Sequence, residues 1–190
     1  MNWQGPSAIV PLQYVCGYCG NKVASNLGIF AREPLERGNS AYVYICPNCD
    51  KPTYFCNGVL VPSAAPGNNV ANLPSDINSL YSEARRASAA SAHTAAVLVC
   101  RKLLMNIAVA QGAKIGGTFM SYVEYLSNAN YVPPNGKGWV DHIRRKGNEA
   151  THEIALMTAS ESSDLIAFSE MLLKFIYEFP SRVPPPPPAP

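Results

Sequence analysis

Apolar side chains recur at two different intervals along the chain, and the change of interval divides it. Up to about residue 60 they come in short aromatic and β-branched runs, Gln13-Tyr-Val, Ala41-Tyr-Val-Tyr-Ile45 and Thr53-Tyr-Phe-Cys56, which read as strands. From residue 75 they recur three and four apart. That spacing predicts a helix from Ser75, its cap, to about Ala90, with Ile77, Leu80, Tyr81 and Ala84 on one side. A second helix, about Thr94 to Gln111, is apolar almost all round through Val97, Leu98, Leu103, Leu104 and Ile107, which marks it as the most buried. A third runs from about Thr118 to Asn128 and is stopped by Pro133-Pro134-Asn-Gly136; a fourth begins near Trp139. The last, about Glu161 to Phe179, presents Leu165, Phe168, Leu172, Phe175 and Ile176 before Pro180 ends it. Amphipathic helices joined by short loops predict an antiparallel bundle of four or five helices. The fold class expected is therefore mainly α, a small N-terminal β module followed by the bundle.

Turn-forming residues place the boundaries. Pro62, Pro66, Gly67, Asn68, Asn69 and Pro74 make residues 61–74 a linker between a module at 1–60 and a helical domain at 75–180. Residues 181–190 contain the run Pro184 to Pro188, a polyproline II segment. Such a run suits an aromatic groove, but a lone terminal one is more often a plain tail, and no partner is expected for it.

The N-terminal module carries Cys16-Gly-Tyr-Cys19 and Cys46-Pro-Asn-Cys49, two Cys-x-x-Cys knuckles with 26 residues between them. Tetrahedral zinc takes four thiolates, and each short knuckle presents two sulfurs from one turn, for which Gly17, Gly20 and Pro47 are suited. Cys16, Cys19, Cys46 and Cys49 are thus expected to hold one structural Zn2+ in a zinc ribbon, with a disulfide pair or redox dithiol as the alternative. A core this small needs the staple, and four sulfurs leave no coordination position open for catalysis. Cys56 lies seven residues past the second knuckle and Cys100 falls within an apolar helix, so both read as small buried side chains.

Composition narrows the setting. The 190 residues, 47% of them hydrophobic, allow one ordinary domain plus a small module. A formal charge of +2 gives no broad electrostatic footprint, so any RNA contact must be local. Around the knuckles Lys22, Arg32, Arg37 and Lys51 stand against Glu33, Glu36 and Asp50, which favours tyrosines that pack a sheet over tyrosines that stack on bases. Met1 to Tyr14 lacks the basic and apolar regions of a leader, and no membrane contact is expected; a soluble, cytoplasmic protein follows.

Chemically useful polar residues fall into register in one stretch, Asp141 to His152. On a helix, Arg145, Asn148 and His152 sit at about 0°, 300° and 340°, one stripe along two turns, while Ile143, Gly147, Ala150 and Ile154 face the other way. Arg145 and His152, with six residues between them and Asn148 among these, resemble the Arg-x(4 to 6)-His motif of the HEPN superfamily, and Ile143-Arg-Arg-Lys-Gly-Asn-Glu-Ala-Thr-His152 resembles the domain-of-unknown-function family numbered 4145. The resemblance covers about residues 76 to 180 and implies that the bundle is HEPN-like.

In HEPN ribonucleases two motif helices face each other across a dimer and cut RNA without a metal. Carried over, the resemblance implies an endoribonuclease with Arg145, Asn148 and His152 as catalytic residues, Arg144, Lys146 and Arg101 as substrate ligands, and a homodimer formed through the helical domain. A toxin or antiphage defence setting would suit that activity. The alternative is a non-catalytic module that binds nucleic acid, nucleotide or protein, because fold alone does not carry function.

Overall fold

The computed structural model describes residues 2–3, 5–32, 40–133, 138–143 and 156–183. They belong to two compact units, Met1–Ala65 and Pro66–Pro190, the first built of strands and the second of helices.

The first unit is a six-stranded antiparallel sheet of β1 (Asn2–Trp3), β2 (Ser7–Val15), β3 (Lys22–Arg32), β4 (Ser40–Ile45), β5 (Pro52–Cys56) and β6 (Val59–Val61). This corrects the mainly α fold class expected from the sequence: a substantial β sheet stands beside the helices, so the chain is α plus β in separate units. The eleven-residue β3 is its spine, with β1 and β2 along one edge and β4, β5 and β6 following on the other. Two irregularities account for the extra strands being hard to read. In β2, Ile9, Val10 and Pro11 bulge between the pairs Ala8↔Leu27 and Leu12↔Ser25, which gives Pro11 a place without a ladder donor. In β3, burial passes from Ser25 to Gly28 across two consecutive exposed residues, Asn26 and Leu27, so simple alternation fails there. Bonds from the Tyr44 hydroxyl to the Val10 carbonyl (3.0 Å) and from Ser25 Oγ to the Ile45 carbonyl (2.7 Å) hold these irregular points.

The helical unit contains α1 (Ser75–Ala89), α2 (His93–Ala110), α3 (Phe119–Asn128), α4 (described over 138–143), α5 (Ala159–Leu173), a π turn (Lys174–Glu178) and α6 (Phe179–Ser181), and is compatible with a bundle. Thr118 caps α3 by accepting from the Ser121 N–H, and Thr158 and Glu161 close a capping box at the start of α5. Ser75, by contrast, is the first residue of α1 and not its cap, since Pro74 holds that position. Helix α2 is long and apolar enough to cross a membrane by length and composition. Its Val97, Cys100, Leu103, Leu104 and Ile107 nevertheless belong to the core, with Tyr81 of α1, Val123 and Leu126 of α3, Ile143 of α4 and Leu165, Phe168 and Leu172 of α5.

The stretch expected to be a linker is not loose along its second half. Arg85 donates to the carbonyls of Pro66 (2.9 Å) and Gly67 (2.8 Å), and Tyr81 donates to that of Asn68 (2.9 Å). The nearly buried carboxylates of Glu170 and Glu178 accept from the backbone N–H groups of Asn68 (2.8 Å) and Ala71 (3.1 Å). Residues 66–72 are thus strapped onto the helical unit.

Candidate metal centre

Each cysteine knuckle is made by one hydrogen-bond pattern used twice. In the first, the Gly20 N–H donates to the Cys16 carbonyl (2.8 Å) and the Cys16 N–H to the Asn21 carbonyl (3.0 Å). In the second, Asp50 and Lys51 take the places of Gly20 and Asn21, at 2.9 and 3.0 Å to and from Cys46. Both turns end in a left-handed residue, Gly20 at φ 73 and Asp50 at φ 56. Gly17 is required for another reason: a Cβ there would lie 2.4 Å from the carbonyl oxygens of Pro62 and Ser63, so the chain leaving β6 presses on the first knuckle.

The result brings Cys16, Cys19, Cys46 and Cys49 together with all four sulfurs within 4.8 Å of one another. Cys16 Sγ lies 3.8 Å from Cys49 Sγ, and Cys19 Sγ lies 3.9 Å from Cys46 Sγ. A tetrahedral zinc with Zn–S bonds of about 2.3 Å puts its sulfurs about 3.8 Å apart, so the donor set fits that ion. No disulfide joins them, and the sulfurs are far beyond the roughly 2.05 Å of an S–S bond.

The surroundings favour thiolate at Cys19 and oppose it at Cys16 and Cys49. The Asn21 N–H, working against burial and joined by the Asn48 side chain and the sulfurs of Cys16 and Cys49, brings the Cys19 thiol down to about 6. Burial pushes Cys16 up. At Cys49 the Lys51 N–H lowers the thiol, but burial and the other three sulfurs outweigh it and raise it to about 12. Thiolates this close repel one another, and a divalent cation among them removes that repulsion. Tyr14 and Tyr44 are buried beside Cys16 and Cys46, with ring centroids 6.1 Å apart, and Tyr42 stacks on Tyr44 at 5.7 Å. Two features of this site, the pressure on Gly17 and the left-handed Asp50, have no signature in the Cys-x-x-Cys spacing itself. Cys56 and Cys100 lie outside it; Cys100 is fully buried in the helical core, where burial pushes its thiol to about 12.

The residues expected for RNA chemistry are placed unequally. Arg144, Arg145, Lys146, Asn148 and His152 lie outside the described residues. Arg101 is described, on α2: its guanidinium sits over the Phe119 ring, 4.4 Å from the centroid, and Nη1 is buried. On α4, His142 Nε2 stands 3.5 Å from Asp164 Oδ2 of α5, a half-exposed pair that no sequence pattern singled out.

The fold and site define a two-unit protein, an antiparallel sheet carrying a four-cysteine cluster able to bind a metal ion, and a helical unit compatible with a bundle. Residues 82–184 match the family described as Domain of unknown function (DUF4145), and the chain belongs to that family. No curated protein and no solved structure matches it.

Proposed function

We propose that the four-cysteine site holds one zinc ion as a structural staple, in the manner of a zinc ribbon, and that the DUF4145 domain beside it is a HEPN-like ribonuclease. The sulfur spacing of 3.8 and 3.9 Å supports the first half, since it suits tetrahedral thiolate ligation. The register of Arg145, Asn148 and His152 on one helical stripe supports the second.

In this reading a neutral His152 accepts the proton of a ribose 2′-hydroxyl as the 2′-oxygen bonds to the adjacent phosphorus. The bond from phosphorus to the 5′-oxygen breaks, that oxygen takes up the proton that His152 accepted, which returns the imidazole to its neutral form, and the products are a 2′,3′-cyclic phosphate and a 5′-hydroxyl end. Arg145 neutralises the phosphate through its forked donors, and Asn148 donates to the oxygen that gathers charge. Arg144 and Lys146 hold the neighbouring backbone, and a C2 homodimer pairs two stripes. The test is total RNA incubated with purified, zinc-loaded protein in EDTA, with end-group analysis. Cyclic phosphate ends, lost on the order of 10² to 10⁴-fold in His152→Ala, are expected. Intact RNA, or equal cleavage by His152→Ala, removes the enzymatic reading.

A non-catalytic binding module is the second reading. Arg101 favours it: of the side chains assigned to the RNA backbone it is the one described, and its guanidinium is already stacked on Phe119.

A further inference from the structure

We propose that the zinc site opens at Cys49, which makes this sulfur a modification site for soft carbon electrophiles, and that Asn48 guards its counterpart, Cys19. The inference rests on the zinc reading above and concerns the regulation of that site.

The two knuckles correspond residue by residue, Cys16-Gly17-Tyr18-Cys19-Gly20-Asn21 against Cys46-Pro47-Asn48-Cys49-Asp50-Lys51, and their backbone hydrogen bonds match. Burial matches as well. The first cysteine of each, Cys16 and Cys46, is fully buried, while the second, Cys19 and Cys49, is partly exposed. An electrophile arriving from solvent therefore meets Cys19 or Cys49, and the repeated backbone does not distinguish them.

The side chains do. In each knuckle the third residue reaches across to the end of the other. Asn48, from the second knuckle, brings its carboxamide N–H to the Cys19 sulfur, which also accepts from the Asn21 N–H. Cys49 accepts from the Lys51 N–H, the counterpart of that of Asn21. Tyr18, the counterpart of Asn48, is turned instead to the Lys51 ammonium, which stands over its ring 5.2 Å from the centroid. The pseudo-symmetric pair thus differs in one respect: a side-chain donor is set against Cys19, and a cation–aromatic contact takes its place near Cys49.

Zinc with four thiolates carries a formal double negative charge, which the surrounding N–H groups share out. A hydrogen bond donated to a thiolate draws density from the lone pair with which it attacks, and nucleophilicity falls as the sulfur becomes less basic. Cys49 therefore keeps the more reactive lone pair of the two sulfurs that solvent reaches. In the reaction its sulfur bonds to the alkene carbon of a conjugated carbonyl compound. The alkene's electron pair takes a proton from water at the neighbouring carbon, hydroxide is released, and the zinc–sulfur bond breaks. Zinc is left on three thiolates, with a position open to exchange.

The test uses the full chain with its zinc content measured by elemental analysis. N-ethylmaleimide is the electrophile, mass spectrometry gives the modified fraction at each cysteine over time, and a chromophoric chelator follows the metal. Cys49 is expected to react about tenfold faster than Cys19, the weight of one hydrogen bond to a charged acceptor, with zinc appearing as Cys49 is lost. Asn48→Leu keeps the size of the side chain and removes its donors, so Cys19 should accelerate by about the same tenfold factor while Cys16, Cys46 and Cys49 hold their rates. Tyr18→Leu should leave the Cys19 rate unchanged. A chain that carries no zinc would remove the staple reading and this inference with it. With zinc bound, three results would overturn this inference alone: Cys19 reacting as fast as Cys49, zinc leaving out of step with Cys49, or all four cysteines accelerating together in Asn48→Leu, which would mean that Asn48 only braces the knuckle.

Discussion

Asp50 occupies in the second cysteine knuckle the backbone position that Gly20 occupies in the first: both are left-handed, and both N–H groups donate to the carbonyl of the knuckle's first cysteine. A side chain in that conformation costs about 1 to 2 kcal/mol, less for aspartate than for most residues. Asp50→Gly is therefore expected to stabilise the metal-loaded protein by up to about 1 kcal/mol, and Gly20→Ala to destabilise it by about 1 kcal/mol. A Cβ on Gly20 meets nothing within 4 Å, so that loss is conformational only. Gly17→Ala is different in kind, because the obstacles are two backbone oxygens that cannot rotate away. It should cost more than Gly20→Ala and weaken metal binding as well. Denaturant titration of the three variants gives the order; a Gly17→Ala protein as stable as wild type would contradict the close approach.

Elemental analysis should find one zinc per chain. Serine at Cys16, Cys19, Cys46 or Cys49 should abolish stoichiometric binding, whereas Cys56→Ser and Cys100→Ser should retain it. Cys100→Ser puts a more polar hydroxyl at a buried position, but the Ser169 side chain is beside it as a hydrogen-bonding partner, so the loss of stability should be no more than about 1 kcal/mol. Because the ligand thiols must be deprotonated, zinc affinity measured against a chromophoric chelator should fall as pH falls. Zinc retained by all four knuckle variants would exclude the cluster as the site.

The knuckles are legible in the sequence because metal chemistry dictates their spacing, and the helices because core positions such as Leu103, Leu104 and Ile107 repeat with the helical period. The size of the sheet is not legible from alternation, since Pro11 sits in a bulge and the buried positions of β3 shift past Asn26 and Leu27. One local signal is there. Asn57-Gly58, at φ 49 and 80, is the two-residue turn that joins β5 to β6. The strap at 66–72 has no local signal at all: its composition is that of a loop, and Glu170 and Glu178, which hold it, lie more than 100 residues further along. The stripe of Arg145, Asn148 and His152 rests on helical periodicity alone, outside the described residues.

Glu170 makes that strap sensitive to pH. Burial alone would raise its carboxyl, but Lys174 and the backbone and side-chain N–H groups of Asn68 together hold it below the ordinary value of 4.5. A carboxyl depressed in the folded state stabilises it fully at pH above that ordinary value, and the contribution is lost as pH falls through the lower, folded one. Glu170→Gln keeps the shape while removing the charge, so at neutral pH it should cost about 1.5 to 3 kcal/mol, the range for hydrogen bonds to a charged group. The gap from wild type should narrow in acid, where the wild-type carboxyl is itself protonated. Backbone hydrogen exchange should show the Asn68 N–H losing protection in Glu170→Gln, while that of Ala71, which donates to Glu178, loses less. A stability difference of the same size at neutral and acid pH would mean that the carboxylate's charge does not hold the strap.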